Sequence, residues 1–364
     1  MIDGGRFDRA DNSNFFKKLK SRSIFFSNTI TYGPHTIASM HAVFSGCYGN
    51  RTGTNSYWST YNFKKDQFKT LTEYLKENNF YTHADVINQL VVPKQGFDTY
   101  NVHDEINDDL IQKHKKILDS MKKKNNNFFL YLHYSKIHTG IMNEVLKIYD
   151  NFSNEFFSNK HQNNLRYDNL FKAAENYLDE ILTYSDELGL LKNSIILIMS
   201  DHGISIGEKV GERAYGAFCY DYTLRTFTYL LVPEYSPVEI TQQIRTIDIM
   251  PTILELLSIP LDKNYNTLDG LSLIPLVNGE SMLEQYAFSE TGNPLKSKAP
   301  PKEPNVKSIR TSKWKLIFNE YDGSKELYDL ESDPDELKNI FGKGLEIEKI
   351  LSAELELHIN QNII

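Results

Sequence analysis

Cysteine is almost missing from this chain of 364 residues: Cys47 and Cys219 are the only two, and neither stands in a Cys-x-x-Cys pair. That excludes a disulfide framework and a thiolate zinc site, and makes a reducing compartment the default. Long apolar runs are missing too. Nothing approaches the roughly 20 residues needed to cross a bilayer, and no signal peptide precedes the first motif, so the chain as written reads as cytoplasmic. Positive charge is outweighed, with 40 Lys and Arg against 48 Asp and Glu. A formal charge of -8 argues against a nucleic-acid partner, because phosphate backbones are bound by clustered basic side chains. The basic run "MKKKNNN" at 121–127 reads as a solvated connection.

What remains is a globular composition, 40% hydrophobic and 12% aromatic, on a length that suits one large domain with an appendage, or two domains. Apolar runs alternate with segments of helical period, which predicts an α/β fold with a mostly parallel central sheet flanked by helices. The expected strands are "FFLYLHY" (128–134), "SIILIMS" (194–200) and "TFTYLLVP" (226–233). The expected helices cover 68–79, 169–189 and 244–259, with a short one following Thr36. From about 285 short runs separated by turns predict a small antiparallel sheet, then a helix from 343. The expected division is 1–284 and 285–364.

Four stretches carry chemistry. In "SIILIMSDHGISIGE" a buried strand ends in Asp201 and His202, and ligands of parallel sheets bind just past strand carboxyl ends. A carboxylate beside an imidazole makes a half-site for a divalent metal; a helix cap plus a surface histidine is the bland alternative. "MIDGGRFD" repeats the pattern with Asp3, as a second carboxylate for that metal or as a simple turn. Thr36, in "GPHTIASMHAVFSGCYGNRTG", stands at a helix start, either as an N-cap or as a nucleophile surrounded by N–H groups and the positive end of the helix dipole. "FFLYLHYSKIHTG" places Lys136 and His138 beyond another strand end, as surface groups or as donors to an oxyanion.

Together and in this order, these pieces resemble the sulfatases of the alkaline-phosphatase superfamily over nearly the whole chain. Asp3-Gly4 resembles the family's first metal-binding strand end, and Thr36 falls on its nucleophile position, ahead of a Gly-x-Tyr-x-x-Arg-Thr-Gly turn at Gly46 to Gly53. "GFD" (96–98), "SKIH" (135–138), "SDHG" (200–203), "IDIMPTILELLSIP" (247–260), "DGLSLIPLVNG" (269–279), "IRTSKWKLI" (309–317) and "ELYDLESDPDELKNI" (326–340) match later landmarks. The family's Cys/Ser-x-Pro-x-Arg, the precursor of formylglycine, is replaced by Thr36-Ile37-Ala38-Ser39-Met40. The similarly spaced Cys47 and Arg51 are read as coincidence. The Gly-Lys-Trp-His stretch is replaced by "HADVINQ" (83–89), where His83 and Asp85 read as surface groups.

A threonine nucleophile is similar to that of phosphate-handling relatives. Nucleotide pyrophosphatase/phosphodiesterases need two zinc ions and further histidines, which the gap between His202 and His358 denies. Lipoteichoic acid synthase and phosphoethanolamine transferases use one ion, and Asp3, Thr36, Asp201 and His202 match their ligand set. The resemblance thus implies one divalent cation, with manganese or calcium ahead of magnesium or zinc. It also implies a hydrolase acting through a covalent Thr36 adduct, on phosphate esters ahead of sulfate esters. His138 would protonate the leaving group and Lys136 would hold a non-bridging oxygen; Ser39, Lys209 and Arg213 are further substrate-binding candidates. The substrate would be a small-molecule, glycan or lipid-headgroup ester. The alternatives are transfer of a phosphoglycerol or phosphoethanolamine type of group to an acceptor hydroxyl, and a degenerate binding protein without turnover. Family members carry a full apolar strand before the first Asp, where this chain has Met1 and Ile2. The expectation is therefore a truncated start, with any anchor or export signal lost and localisation open, or else a poorly held Asp3.

Overall fold

The computed structural model describes residues 1–124, 126–149, 153–295 and 301–360. Eight strands form one continuous layer: β1 (Ile24–Ile30), β2 (Tyr81–Val86), β3 (Thr99–Val102), β4 (Phe128–Leu132), β5 (Ile196–Met199), β6 (Arg225–Leu231), β7 (Val238–Ile240) and β8 (Ile244–Arg245). One sheet runs β3-β2-β4 and the other β5-β6-β1-β7, with β8 beside β1. Ile2 joins them by parallel bridges to Tyr134 and to Ser200. Only β6 opposes its neighbours, being antiparallel to both β5 and β1, while the remaining pairs are parallel. The mostly parallel layer expected from the alternation of apolar runs and helices is what forms.

Side chains alternate between the faces of a strand, and the core divides accordingly. Ile198 and Phe227 pack with Tyr167, Phe171 and Tyr177 of the helix Lys160–Glu187. Met199 and Tyr131 pack on the other face with Phe44, Leu75 and Met250, from helices Thr36–Ser45, Leu71–Glu77 and Ile249–Leu256. The single helix expected over 244–259 is instead strand, 3-10 turn and helix, because Arg245 pairs with Ile30 and Asp248 folds back to accept from the Arg245 N–H at 2.8 Å. β1 escaped notice because Ser27 and Asn28 interrupt its apolar run. Both cysteines are buried and unpaired. Among the described residues no helix is long and apolar enough to cross a membrane.

Asp3 is held by backbone pairing on both sides. The Met1 ammonium donates to the Leu132 carbonyl at 2.9 Å, the Ile2 N–H to Met199 at 2.9 Å and the Asp3 N–H to Tyr134 at 3.0 Å. Ile2 is buried in the main core cluster. Asp3 is 1% exposed, so the expectation of a loosely held carboxylate is overturned.

Beyond residue 285, β9 (Ala287–Thr291), β10 (Val306–Arg310), β11 (Trp314–Asn319) and β12 (Ser324–Asp329) form an antiparallel sheet in the order β12-β11-β10-β9. Leu351 and Leu355 of the helix Glu346–Asn360 cover Ile309, Leu316 and Leu327. Buried charge fastens this sheet to the larger layer: the Lys315 ammonium lies 2.9 Å from Asp221 and 2.8 Å from Glu336, and Arg310 lies 2.8 Å from Asp221. Removing Lys315 leaves the buried Glu336 without its cation, while Asp221 keeps Arg310. Lys315→Met is therefore expected to cost about 3–5 kcal/mol, read as a lowered urea midpoint.

Candidate metal centre

Three chain ends meet at the carboxyl edge of the central strands. Asp3 follows the Ile2 bridge, Ser200 to Gly203 follow β5, and Thr36 opens the helix Thr36–Ser45. The turn after β5 is tight enough that a Cβ on Gly203 would lie 2.2 Å from the Tyr222 carbonyl, so only glycine fits there. Gly4 adopts a φ of 73°, which lets the chain turn away directly after Asp3.

Asp3, Asp201 and His202 each offer a ligand atom, all within 4.8 Å of one another, and all three residues are fully buried. The Thr36 hydroxyl lies 3.4 Å from Asp3 Oδ2 and 3.4 Å from His202 Nε2. His202 Nε2 is also 3.6 Å from Asp3 Oδ1 and 3.5 Å from Asp201 Oδ2. The four groups therefore converge. Thr36 does so without a capping duty, because the preceding residue is the N-cap: His35 Nδ1 accepts from the Ala38 N–H at 3.4 Å.

Each carboxylate divides its oxygens between the fold and the centre. Asp201 Oδ1 accepts from the N–H groups of Gly4 (3.1 Å) and His202 (2.9 Å), while Asp3 Oδ2 accepts from His133 Nε2 at 3.0 Å. Asp3 Oδ1 and Asp201 Oδ2 are buried with no hydrogen-bond partner. His202 Nδ1 sits 2.8 Å from the Gly203 carbonyl, which can only accept, so the proton is on Nδ1 and the Nε2 lone pair faces the carboxylates. The imidazole lone pair of His202 thus faces a hydroxyl at 3.4 Å and two orphaned carboxylate oxygens at 3.6 and 3.5 Å, a donor set that suits a divalent cation held at about 2.0–2.5 Å from each. The residues fit the group that the sequence led us to expect.

Electrostatics agree with that fit. Burial raises the Asp3 carboxyl, but the neighbouring His138, His133 and His202 outweigh it and hold Asp3 well below the usual carboxylate range. Burial pushes Asp201 up, and the nearby Asp3 charge adds to this against the pull of His202. Two carboxylates in one dry site are driven apart in this way unless a cation neutralises both.

Of the other expected site residues only His138 arrives. Its Nδ1 lies 3.7 Å from Asp3 Oδ1 and 3.1 Å from the Tyr215 hydroxyl, and its side chain is 22% exposed, on the open side of the centre with the 7%-exposed Thr36. Lys136 is turned away, donating to the carbonyls of Glu105 (3.0 Å) and Ile106 (3.4 Å). Lys209 donates to the Glu336 carbonyl, with its ammonium 4.4 Å from the Tyr220 ring centroid, and Arg213 donates to the carbonyls of Leu146 and Tyr149. Ser39 is fully buried: its hydroxyl donates to the Asp201 carbonyl at 2.8 Å and pairs with Thr31 at 2.7 Å, so it braces the metal-ligand turn and is not turned to a substrate. These four assignments are corrected. His83 and Asp85 are corrected as well, being buried where surface groups were expected. Sequence reasoning missed His133 and Tyr215, whose ring is 4.8 Å from that of His202. His133 left a trace, as the one imidazole inside "FFLYLHY".

Loops over 54–67, 139–165 and 280–305 are the expected walls of the substrate pocket; the second is instead largely helical, within Lys136–Ile141, Met142–Leu146, Asn154–Ser158 and the start of Lys160–Glu187, and residues 150–152 and 296–300 lie outside the described residues.

Comparison with known proteins bears on the same site. The Sulfatase family model matches residues 7–259, and a model of the C-terminal part of N-sulphoglucosamine sulphohydrolase matches residues 215–362. Arylsulfatase K of Bos taurus is 30% identical over 213 residues, 56% of this chain and 38% of that protein. Choline-sulfatase of Rhizobium meliloti (strain 1021) is 30% identical over 176 residues, 46% of this chain and 32% of that protein. The chain thus spans less than two fifths of the length of these curated relatives. A phosphonate monoester hydrolase from Silicibacter pomeroyi, 16% identical, superposes with a TM-score of 0.74 over 100% of this chain and 94% of its own, a likeness of fold. The first family model covers well over half of the chain, with Thr36, Asp201 and His202 inside it, and the chain belongs to the sulfatase family.

Proposed function

We propose that this chain is a metal-dependent ester hydrolase that works through a covalent adduct on Thr36, taking phosphate esters ahead of sulfate esters. The observation that carries the reading is His202 Nε2, in a buried site, facing the Thr36 hydroxyl at 3.4 Å and the orphaned oxygens Asp3 Oδ1 and Asp201 Oδ2 at 3.6 and 3.5 Å. Asp3, Thr36, Asp201 and His202 would hold one divalent cation. Three oxygens and one nitrogen form a hard donor set that suits manganese or calcium. When bound, such a cation lowers the pKa of the Thr36 hydroxyl and neutralises charge on the ester oxygens.

The remaining work falls to the chain. Asp3 Oδ2, 3.4 Å from the Thr36 hydroxyl, orients it; the hydroxyl gives its proton to solvent at the open edge as the oxygen bonds to the central atom of the ester and the bond to the leaving alkoxide breaks. Backbone N–H groups at the start of the helix face the transferring anion. His138, at the open edge, gives a proton to the leaving alkoxide and then takes one from the water that displaces Thr36. A threonine adduct has no second hydroxyl on its carbon, so it is cleared by displacement at the central atom, a step phosphorus supports well. The names of the curated relatives point to sulfate esters, which makes sulfate the second substrate class to be tested.

Three outcomes are expected. One equivalent of Mn2+ should bind the wild type, and Asp201→Asn should weaken it by about 100-fold or more, measured by electron paramagnetic resonance of free manganese. Thr36→Ala should lower kcat on the order of 10⁴-fold or more against bis-p-nitrophenyl phosphate, p-nitrophenyl phosphate and p-nitrophenyl sulfate, each assayed with Mn, Ca, Mg and Zn. A modified Thr36 peptide should appear by mass spectrometry in the quenched wild-type reaction. Release that depends on an added alcohol would identify a transferase, and inactivity with every metal, together with no uptake, would identify a binding protein.

A further inference from the structure

A second buried cluster lies next to the metal centre, and the proposed reaction does not use it. Asp85 lies one residue before the end of β2, His103 follows β3, and His114 stands on the helix Leu110–Lys124. His103 Nδ1 is 2.6 Å from Asp85 Oδ1, and His103 Nε2 is 2.8 Å from the Ser135 hydroxyl. An aspartate, a histidine and a serine in that sequence of contacts have the connectivity of a hydrolytic triad. Asp85 and Ser135 are nevertheless fully buried, as is the His103 side chain, so no substrate reaches the serine oxygen.

The ring nitrogens of the cluster all have partners, while Asp85 Oδ2 makes no hydrogen bond. His103 and His114 both face Asp85 Oδ1, the second at 3.4 Å, and the outer nitrogen of His114 meets the Tyr177 hydroxyl at 2.7 Å. Two imidazole N–H groups donating to one carboxylate, and two hydroxyls donating to their outer nitrogens, satisfy every ring nitrogen. The Lys113 ammonium, 3.6 Å from Asp85 Oδ2, supplies the countercharge that a metal would otherwise bring.

What the cluster grips is residues 133–135. The His133 N–H donates to the Asp85 carbonyl at 3.0 Å, while the His133 side chain reaches Asp3 Oδ2 on the other cluster. Ser135 stands at the N-cap of the helix Lys136–Ile141, which carries His138, yet makes no side-chain capping bond. A serine at that position normally accepts from the helix N–H groups. Here the hydroxyl is committed to His103 instead, which ties the start of the helix sideways to β2 and β3.

We propose that Asp85, His103 and Ser135 are positioning residues that hold His133 and His138 against Asp3. The inference rests on the reaction assigned above to the Asp3 centre, but its structural content stands apart from turnover.

The test compares Ser135→Ala, Ser135→Thr, His103→Gln and the double variant Ser135→Ala/His103→Gln. Ser135→Ala should lower kcat by about 10- to 100-fold with KM within about twofold, as displacement of a reacting group does. It should weaken Mn2+ about tenfold, as loss of support behind a ligand does, while unfolding stays cooperative. Ser135→Thr, which keeps the hydroxyl, should restore both values. His103→Gln should resemble Ser135→Ala, and the double variant should be no worse than either single one. Full kcat and full Mn2+ affinity in Ser135→Ala would overturn the proposal. So would losses that only follow the unfolded fraction, or a second equivalent of metal in the wild type that disappears in His114→Ala. If the wild type turns over no ester, the functional reading fails, and Mn2+ affinity still decides this one. If it binds no Mn2+ either, the nuclear Overhauser contact between His138 and Tyr215 decides: loss in Ser135→Ala supports the brace, and retention overturns it.

Discussion

The site depends on one unfavourable contact that the fold enforces: two buried carboxylates, Asp3 and Asp201, brought to the same point with one oxygen of each left unpaired. Left alone, such a pair shares protons or moves apart. Here movement is prevented by backbone, since Asp3 is pinned through Tyr134 and Asp201 through Gly4 and its own turn. The strain is local and electrostatic, and it is the attraction that a divalent cation would answer. The surrounding histidines have different tasks. His202 turns a lone pair inward, His133 donates to the carboxylate, and His138 keeps contact with solvent.

The layer of strands explains why such a pair can exist at all. Ile2, paired on both sides, makes two sheets into one and leaves Asp3 no freedom. The reversal at β6 then carries the chain back under the turn after β5, where the Gly203 N–H donates to the Thr223 carbonyl at 2.8 Å and fixes the Asp201-His202 corner. Ser39 adds a bond from the Thr36 helix to the carbonyl of Asp201. The helix Thr36–Ser45 and the Asp201-His202 turn are thereby one mechanical unit, and Ser39, expected to touch substrate, holds that unit together.

Much of this was legible in the sequence because strand-end chemistry leaves a local mark. An apolar run that stops at Asp-His-Gly, or an Asp-Gly-Gly after an apolar residue, announces both a strand and a turn. The α/β class followed from the same runs. Long cationic side chains leave no such mark: Lys136, Lys209 and Arg213 stand in the right loops, but each found backbone carbonyls nearer than the centre, and spacing along the chain does not say which way a flexible stem points. Asp85 looked exposed because it follows histidine and alanine in a strand whose two neighbours, β3 and β4, come later in the chain. β1 was hidden for a related reason, since its partner β6 lies about 200 residues away.

The smaller sheet carries a consequence for how the molecule could be dissected. β9 does more than complete its own meander, because the Glu290 N–H donates to the Tyr32 carbonyl at 3.0 Å and the Ser289 hydroxyl to Thr31 at 2.7 Å, in the segment that leads into Thr36. Further along, Asn50 donates toward His358 of the last helix at 3.0 Å. Cutting the polypeptide near 285 would not free a self-sufficient larger half, for it would strip the outer wall from the segment that leads into Thr36.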